Sequence, residues 1–321
     1  SRHVKVVLTG EGADVAQAGY ATYRHIPLLE GLRAEPRDAR RRAELEQFTR
    51  QENTGVAVTN TGILPIQAYP EYDRVLSLFG AYPYAMARAL HTAKMLRYVL
   101  SRGFRKEFNG VDVVAETARR VGLGRMAGLS PIAAHQYYLF KTDLPNYILN
   151  YLGDRVEMAH SVEGRVPLLD HAHVEFAFAL PVSLKVQDGA GKHIFRRAVL
   201  DKLPSASQIK KRPFAAPSAD TLGLARHGSG ISRYLDRKTI NQVGLFDPLV
   251  IRTLVQSLKV LRPGSRAHGV AETLLTGVAS IHALHDMFCE HFSSSANRFA
   301  IPRHELTLSQ GAVADPANAE A

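Results

Sequence analysis

The first residues of the chain combine an apolar run with two closely spaced glycines. Residues 4–8 form a β-type run, and Gly10 and Gly12 follow it at once. An apolar strand that enters a glycine turn and then a helix is typical of a parallel sheet covered on both faces. The pattern therefore predicts one clear parallel strand near the N-terminus.

Helical periodicity dominates the rest of the chain. Apolar residues recur at intervals of three and four, and helix-capping residues stand at the expected ends. The predicted helices are 82–100, 143–152, 170–181 and 246–261. The predicted N-caps of the last three are Asp143, Asp170 and Asp247.

These patterns predict a chain that is mostly α-helical. A lone strand needs partners for its edge groups, so we expect the other strands of the sheet to come from elsewhere. Residues 51–70 are predicted to form an irregular excursion between helices. The small, polar and aperiodic residues 303–321 are predicted to be a disordered tail. Residues 1–302 are then one partial domain.

Composition and charge narrow the class of function only slightly. The chain has 321 residues, of which 45% are hydrophobic, and a formal net charge of +10. The densest basic run, residues 33–50, also contains acids at helical spacing, which is typical of a solvated helix face. The basic excess fits nucleic acid or a polyanionic small molecule such as a nucleotide, and charge alone does not separate them.

Cysteine usage and hydropathy point to a cytoplasmic protein. Cys289 is the single cysteine, which excludes an internal disulfide and fits a reducing compartment. The most apolar stretch, residues 270–288, carries acids and histidines, so it predicts a buried amphipathic helix and not a membrane span. No targeting segment is visible, and no membrane partner is expected.

The turn after the strand, from Thr9 to Asp14, is the first candidate site. Gly10 and Gly12 let the backbone approach a ligand, and the N–H groups of the following helix start point toward an anion. Glu11 and Asp14 have the oxygen atoms to hold Mg²⁺ on a phosphate or to direct a nucleophile. The alternative is a tight turn that binds nothing.

A second candidate, residues 152–171, is dense in opposite charges. We expect a partly buried ion-pair network here, beside the apolar Met158 and Val162. Its members are Asp154, Arg155, Glu157, His160, Glu163, Arg165 and Asp170, of which all but Glu157 and His160 are candidate site residues. The alternative is a charged scaffold that only orders the junction between helices.

Two further stretches contribute basic residues. In residues 188–199, Lys192 follows a glycine turn and opens a helix, where its ammonium can neutralise a phosphate or a developing oxyanion. A solvent-exposed first-turn lysine is the alternative. Residues 210–218 are predicted to form a basic loop that either reaches a ligand or connects elements at the surface. His171, His173 and the later histidines lack partners at metal spacing and are expected to be structural or surface histidines.

Taken together, these stretches resemble the C-terminal synthetase (ATP-pyrophosphatase) domain of the glutamine-hydrolysing asparagine synthetases. The family's SGEGxDExFGGY loop corresponds here to VVLTGEGAD…GY. Its later segments correspond to GDRVEMAHSVEGRVPLLDH, GKHIFRRAVLDKLP and KKRPFAAP. The similarity runs from Val4 to about Leu224 and is most specific between residues 144 and 217. It implies an α/β fold of the adenine nucleotide alpha-hydrolase type, with a parallel sheet flanked by helices.

The resemblance implies ATP-dependent amide formation. The side-chain carboxylate of aspartate attacks the α-phosphate of ATP to give β-aspartyl-AMP and pyrophosphate, and ammonia from glutamine then displaces AMP. By resemblance, Glu11 lies where the aspartyl-adenylate needs it, and Lys192 neutralises the phosphate in the transition state. The residues implied in nucleotide binding are Thr9, Gly10, Gly12 and Asp14.

The same resemblance names the cofactors and the supporting residues. ATP and Mg²⁺ are implied as cofactors, with Asp14 near the pyrophosphate and its Mg²⁺. The charged residues of the 152–171 stretch would hold this site in position. The partners implied are an aspartate-like acid and ammonia from a glutaminase domain or subunit, in a homodimer or a hetero-oligomer, without nucleic acid.

The chain departs from the family pattern in two respects. At the helix start, Val15 replaces a second acid, and residues 16–18 replace a large apolar residue, a phenylalanine and a glycine. The SGGxDS loop and the glutaminase domain with its N-terminal cysteine are absent from the sequence. An N-terminally truncated or split synthetase, incomplete as a lone chain, is therefore expected.

Two alternatives stay open. One is a non-catalytic or regulatory partner subunit that keeps a degenerate synthetase fold. The other is an amide or lactam synthetase of a specialised pathway, which shares the adenylation chemistry and differs in the acid that it activates.

Overall fold

The structure is a computed structural model that describes residues 2–52, 71–187, 190–205, 223, 230–263 and 265–290. The predicted excursion from residue 53 onward, the loop at 210–218 and the tail at 303–321 lie outside these ranges. The division of the chain at residue 302 therefore stays a prediction.

Helices make up most of the described chain, as the periodicity predicts. The strands are β1 (Val6–Leu8) and β2 (Glu163–Arg165). The helices before β2 are α1 (Ala13–Ala16), α2 (Thr22–Ala34), α3 (Ala39–Glu52), α4 (Tyr72–Phe79), α5 (Tyr84–Val99), α6 (Arg102–Glu107), α7 (Val113–Val121), α8 (Pro131–Lys141), a π-helix (Leu144–Asp154) and α9 (Arg155–Ala159). The described elements after β2 are a 3-10 turn (Pro167–Leu169), α10 (His171–Ala179), α11 (Val182–Lys185), α12 (His193–Val199), a 3-10 turn (Ser232–Leu235), α13 (Arg237–Val243), α14 (Pro248–Val260), α15 (Arg266–His285) and a short π-helix (Asp286–Glu290).

The described residues form one parallel sheet of two strands. β1 pairs with β2 in parallel, with Val7 opposite Gly164. The N–H of Thr9 extends the pairing to the carbonyl oxygen of Arg165 at 2.8 Å. The parallel strand predicted near the N-terminus is present, and its pairing fits the α/β class. Val6 and Leu8 remain 38% and 74% exposed, so the described residues leave β1 largely uncovered, unlike a central parallel strand.

Among the described residues, three groups of buried apolar side chains form the core. The group that carries the candidate site joins α1, α2, α8 and the π-helix, and Val15, Tyr23 and Leu32 are fully buried in it. A second group lies between α4, α5, α7 and α8, and a third joins the end of α5 to α13, α14 and α15. Because α8 contributes to the first two groups, it anchors α1 to the body of the protein.

Capping residues explain where several helices begin. Asp170 accepts hydrogen bonds from the N–H groups of residues 172 and 173, and Asp247 accepts from those of residues 249 and 250. The third predicted cap is wrong, because Asp143 makes no side-chain cap bond. Its backbone is already helical (φ −64°, ψ −40°), whereas a capping residue needs an extended backbone. The following residues wind as a π-helix and not as the predicted α-helix.

The apolar stretch near the end of the described chain forms α15, as predicted. Its inner face buries Leu275 and Val278 completely, and Leu284 on its outer face is 59% exposed. Among the described helices, none combines the length and the hydropathy that crossing a bilayer requires.

Candidate active site

The turn between β1 and α1 has a backbone shape that needs glycine. Gly12 is the N-cap of α1 with φ +85°, in the left-handed region that other residues rarely adopt. A Cβ at this position would overlap the side chain of Leu169 from the 3-10 turn after β2. Gly10 differs, because a Cβ there would meet no described atom within 4 Å. The turn is thus packed on one side and open beside Gly10.

Helix α1 is four residues long and depends on its neighbours for support. The hydroxyl of Tyr23 donates to the carbonyl oxygen of Val15 at 3.3 Å. Burial raises the pKa of Tyr23, and the charge of Asp14 acts in the same direction, so this hydroxyl stays protonated and able to donate. Gln136 on α8 donates to the same carbonyl at 2.9 Å and to that of Ala16 at 2.5 Å. An isolated helix of this length is unstable, so these bonds hold Asp14 in place.

Lys192 reaches α1 and pairs with Asp14. Its Nζ lies 2.9 Å from Oδ1 of Asp14, and the two side chains are 20% and 21% exposed. The backbone N–H of Lys192 donates to the carbonyl oxygen of Gln17 at 3.0 Å, which fixes the segment before α12 against the end of α1. Two residues predicted in separate motifs therefore meet at one place.

Two glycines make this approach possible. A Cβ on Gly191 would overlap the carbonyl oxygen of Ala18. A Cβ on Gly19 would overlap both the carboxylate of Asp14 and Cε of Lys192. The contact between the two segments is therefore closer than residues with side chains allow.

Thr9 and Glu11 complete the loop next to this ion pair. Oγ1 of Thr9 is buried and has no hydrogen-bond partner among the described atoms. A buried hydroxyl usually has a partner, and Thr9 stands next to the open side of Gly10. Glu11 is half-buried in the turn. An unpaired hydroxyl, an open backbone and a nearby ammonium fit the phosphates of a nucleotide, whose oxygens accept hydrogen bonds from all three.

The charged residues of the 152–171 stretch do not form the partly buried network that we expected. Six of its seven residues are exposed, and Glu157 is half-buried. Glu163 and Arg165 pair with each other at 2.7 Å. Asp170 caps α10, and Arg155 donates to Asn150 at 2.8 Å. Residues two apart on a strand share a face, and here that face is exposed on β2. Whether this stretch positions the site stays a prediction.

The described residues do not build a metal site by themselves. They contain no group of three or more His, Cys, Asp or Glu that could hold a metal ion. Asp14, the predicted contact of Mg²⁺, is paired with Lys192. Mg²⁺ bound to the phosphates of ATP would add positive charge at the reacting centre.

The two family departures at α1 lie in the protein interior. Val15 is fully buried, so an acid at this position would place a carboxylate in the core. Ala18 is also fully buried and has φ +52°, a conformation in which the family's glycine would be unstrained. Nε2 of Gln17 lies 3.5 Å from Nε2 of His173. These replacements change buried side chains that pack next to Asp14. Asp14 and Lys192 are nevertheless in contact.

Sequence reasoning missed Gln136. This residue is 1% exposed and joins α8 to the end of α1. The available signal was a glutamine within the apolar segment IAAHQYYLF, where a buried amide requires hydrogen-bond partners. The pattern does not say where those partners lie.

Comparisons with known proteins give a consistent result. The model of the protein family described as asparagine synthase matches residues 1–286 of this sequence. A protein named putative asparagine synthetase (glutamine-hydrolyzing) from Mycobacterium tuberculosis is 32% identical over 64% of this chain and 28% of its own length. A protein named amidase chry2 from Gibberella zeae is 26% identical over 76% of this chain and 36% of its own length. The chain therefore spans about a third of the length of these curated relatives. No solved structure matches it.

Proposed function

Because the chain belongs to the asparagine synthase family, we propose that it contributes the synthetase site of an ATP-dependent, amide-forming ligase. The family match confirms the resemblance in the sequence. The reaction itself is a proposal, because the chain spans only part of its relatives. We propose aspartate as the acid and asparagine as the product.

The proposed reaction has two steps. A carboxylate oxygen of the acid attacks the α-phosphorus of ATP, pyrophosphate leaves, and an acyl-AMP anhydride forms. Ammonia then attacks the acyl carbon, AMP leaves with the oxygen that came from the carboxylate, and the nitrogen loses a proton to give the amide. Negative charge builds on the phosphate oxygens in the first step, so the site needs a cation and N–H donors there.

The contact between Lys192 and Asp14 is the observation that carries this proposal. It brings the lysine from its own glycine turn to the loop that follows β1. In the proposed complex, the ammonium of Lys192 contacts the α-phosphate and the leaving pyrophosphate. Asp14 holds that ammonium in place, and the backbone at Gly10 lies against the nucleotide with the hydroxyl of Thr9 as a donor.

Glu11 is proposed to act on the acyl-adenylate. Its half-buried carboxylate lies in the same turn, on the N-terminal side of Asp14. A carboxylate there can accept a proton from the attacking ammonia, which must lose one to give a neutral amide. Ammonia is proposed to come from a glutaminase domain or subunit.

A second candidate is an amide synthetase that activates a different acid. The similarity to a protein named amidase supports it. The adenylation step and the roles of Lys192 and Glu11 would be the same. Aspartate and the alternative acids are therefore compared in one assay.

A non-catalytic partner subunit is less well supported by the site. The degenerate pattern at α1 was its main argument. Val15 and Ala18 lie in the core, Lys192 and Asp14 are in contact, and the hydroxyl of Thr9 has no partner among the described atoms.

The experiment is ATP–pyrophosphate exchange with aspartate and a panel of other carboxylic acids. It uses the native protein or assembly that supplies the loop expected to be missing from this chain. We expect exchange that depends on the acid, and a loss of at least about a hundredfold in Lys192→Met. Lys202→Met, which changes an exposed lysine beyond α12, is the matched control. Transfer of one ¹⁸O atom from a labelled carboxylate to AMP identifies adenylation directly. Exchange that persists in Lys192→Met would overturn the proposed role of the lysine.

A further inference from the structure

A lysine ammonium lies in the core beneath the candidate site. Lys185, the last residue of α11, is 1% exposed, and no carboxylate of the described chain pairs with it. Its Nζ donates to Oε1 of Gln136 at 3.2 Å and to the carbonyl oxygen of Phe178 at 3.5 Å. Charged groups are seldom fully buried without a counterion, because desolvation is costly. Burial lowers the pKa of Lys185 to about 8.

Gln136 connects this lysine to α1. Its amide nitrogen donates to the carbonyl oxygens of Val15 and Ala16, and its amide oxygen accepts from Lys185. An ammonium offers donors only. If the amide were reversed, its oxygen would face two carbonyl oxygens and its N–H groups would face the ammonium. Lys185 therefore stabilises the orientation in which the amide nitrogen of Gln136 faces the two carbonyl oxygens of α1.

Both partners of the ion pair lie on elements that Lys185 supports. Helix α1 carries Asp14, has no side-chain N-cap and ends at the two carbonyls that Gln136 binds. Helix α11, which ends at Lys185, packs against α12, and Lys192 is the N-cap of α12. A change at Lys185 therefore reaches Asp14 through the hydrogen bonds of Gln136, and it reaches Lys192 through Asp14.

We propose that Lys185 is a positioning residue, which orients Gln136 and thereby holds α1 where Asp14 meets Lys192. Lys185 touches no reacting atom. Its consequence for catalysis rests on the proposed function, whereas its effect on the ion pair does not. Since replacing a buried ammonium by an apolar group removes a desolvation cost, stability and activity are expected to change in opposite directions.

The test is a double-mutant cycle of Lys185→Met and Gln136→Met in the full-length protein. The control is Lys141→Met, which removes an exposed lysine at the end of the helix that carries Gln136. Three quantities are measured: the free energy of unfolding in urea, the ¹³Cε resonance of Lys192, and the kcat and KM of ATP–pyrophosphate exchange.

We expect Lys185→Met to be at least as stable as the unmodified protein and to shift the Lys192 resonance. It should lower the exchange kcat about ten- to a hundredfold and leave the KM for ATP within about twofold, because a small misplacement affects the transition state most. The exchange kcat of the double variant should be no lower than that of Gln136→Met alone, since Lys185 acts through Gln136. Lys141→Met should change none of the three quantities.

Several results would overturn this inference. The first is an unchanged Lys192 resonance in Lys185→Met. The second is a double variant whose loss in exchange kcat is the product of the two single losses. The third is a Lys185→Met protein that unfolds, or whose activity falls in proportion to its stability. If the unmodified protein exchanges with no acid, the proposed function fails, and the resonance and stability measurements still decide the role of Lys185.

Discussion

Nζ of Lys192 lies 2.9 Å from Oδ1 of Asp14, which joins two segments far apart in the sequence. About a fifth of each side chain is exposed, so the pair is partly shielded from water and still accessible to a ligand. The approach depends on Gly191, whose backbone lies against Ala18 and Gly19. A ligand that enters this loop would meet a cation that the fold already holds in place.

We predict a measurable coupling energy between these two charges. In a cycle of Asp14→Asn and Lys192→Met, unfolding in urea should give a coupling of about 1 kcal/mol or more, because the pair is mostly shielded. The control is the cycle Glu163→Gln with Arg165→Met, whose side chains are 55% and 62% exposed. Its coupling should be below about 0.5 kcal/mol. Equal coupling in the two cycles would contradict the partial burial of the first pair.

Gly191→Ala should destabilise the protein and weaken the proposed activity. The added Cβ would overlap the carbonyl oxygen of Ala18, so the Lys192 segment must move away from α1. We expect a loss of about 1 to 3 kcal/mol in the free energy of unfolding. Gly103→Ala, inside α6 with open space around it, should be neutral or stabilising by up to about 1 kcal/mol. Thermal unfolding of both variants checks the prediction.

Restoring the family residues at α1 should have opposite effects at two positions. Val15→Glu places a carboxylate in the core and should cost about 2 kcal/mol or more of stability. Ala18→Gly removes the strain of a positive φ and should stabilise the fold by up to about 1 kcal/mol. A Val15→Glu protein as stable as its parent would show that the side chain at position 15 reaches solvent.

Stability should fall as the pH is lowered from about 6.5 to 4, in part because of His25. Burial, with a smaller effect of Arg24, lowers the pKa of His25 to about 4, below its value of about 6.5 in the unfolded chain. As the pH falls, the unfolded state therefore binds the proton first. The free energy of unfolding decreases by about 2 to 3 kcal/mol across this window. His25→Gln should make the free energy of unfolding depend less steeply on pH, with a slope lower by up to one proton taken up on unfolding. An unchanged slope would contradict a buried, neutral His25.

Local sequence rules predicted part of this structure well. The strand at 6–8, the caps at Asp170 and Asp247 and the helix that opens after Lys192 all depend on residues within one turn of each other. The π-helix at 144–154 was missed because its apolar spacing is close to that of an α-helix. The strand at 163–165 was missed because its sequence, EGR, has no β-type pattern and gains its conformation by pairing with β1.

Burial was the quantity that sequence reasoning judged least well. The ion-pair network at 152–171 was expected to be partly buried, and its residues are exposed except for the half-buried Glu157. Lys185, a single lysine in the segment PVSLKV, is almost fully buried. A charge next to apolar residues is compatible with both outcomes, because the packing of distant helices decides which side faces water.

The sequence by itself determined the local chemistry: a β-type run that ends in a glycine turn, a helix start with Glu11 and Asp14, and a lysine after a second glycine turn. Only the tertiary structure decided that Lys192 meets Asp14 and that Lys185 lies beneath them on Gln136. The reason is that turns, caps and helices follow from the conformations of neighbouring residues. Side-chain partners depend on where the chain returns, and that position is set by the packing of the whole core.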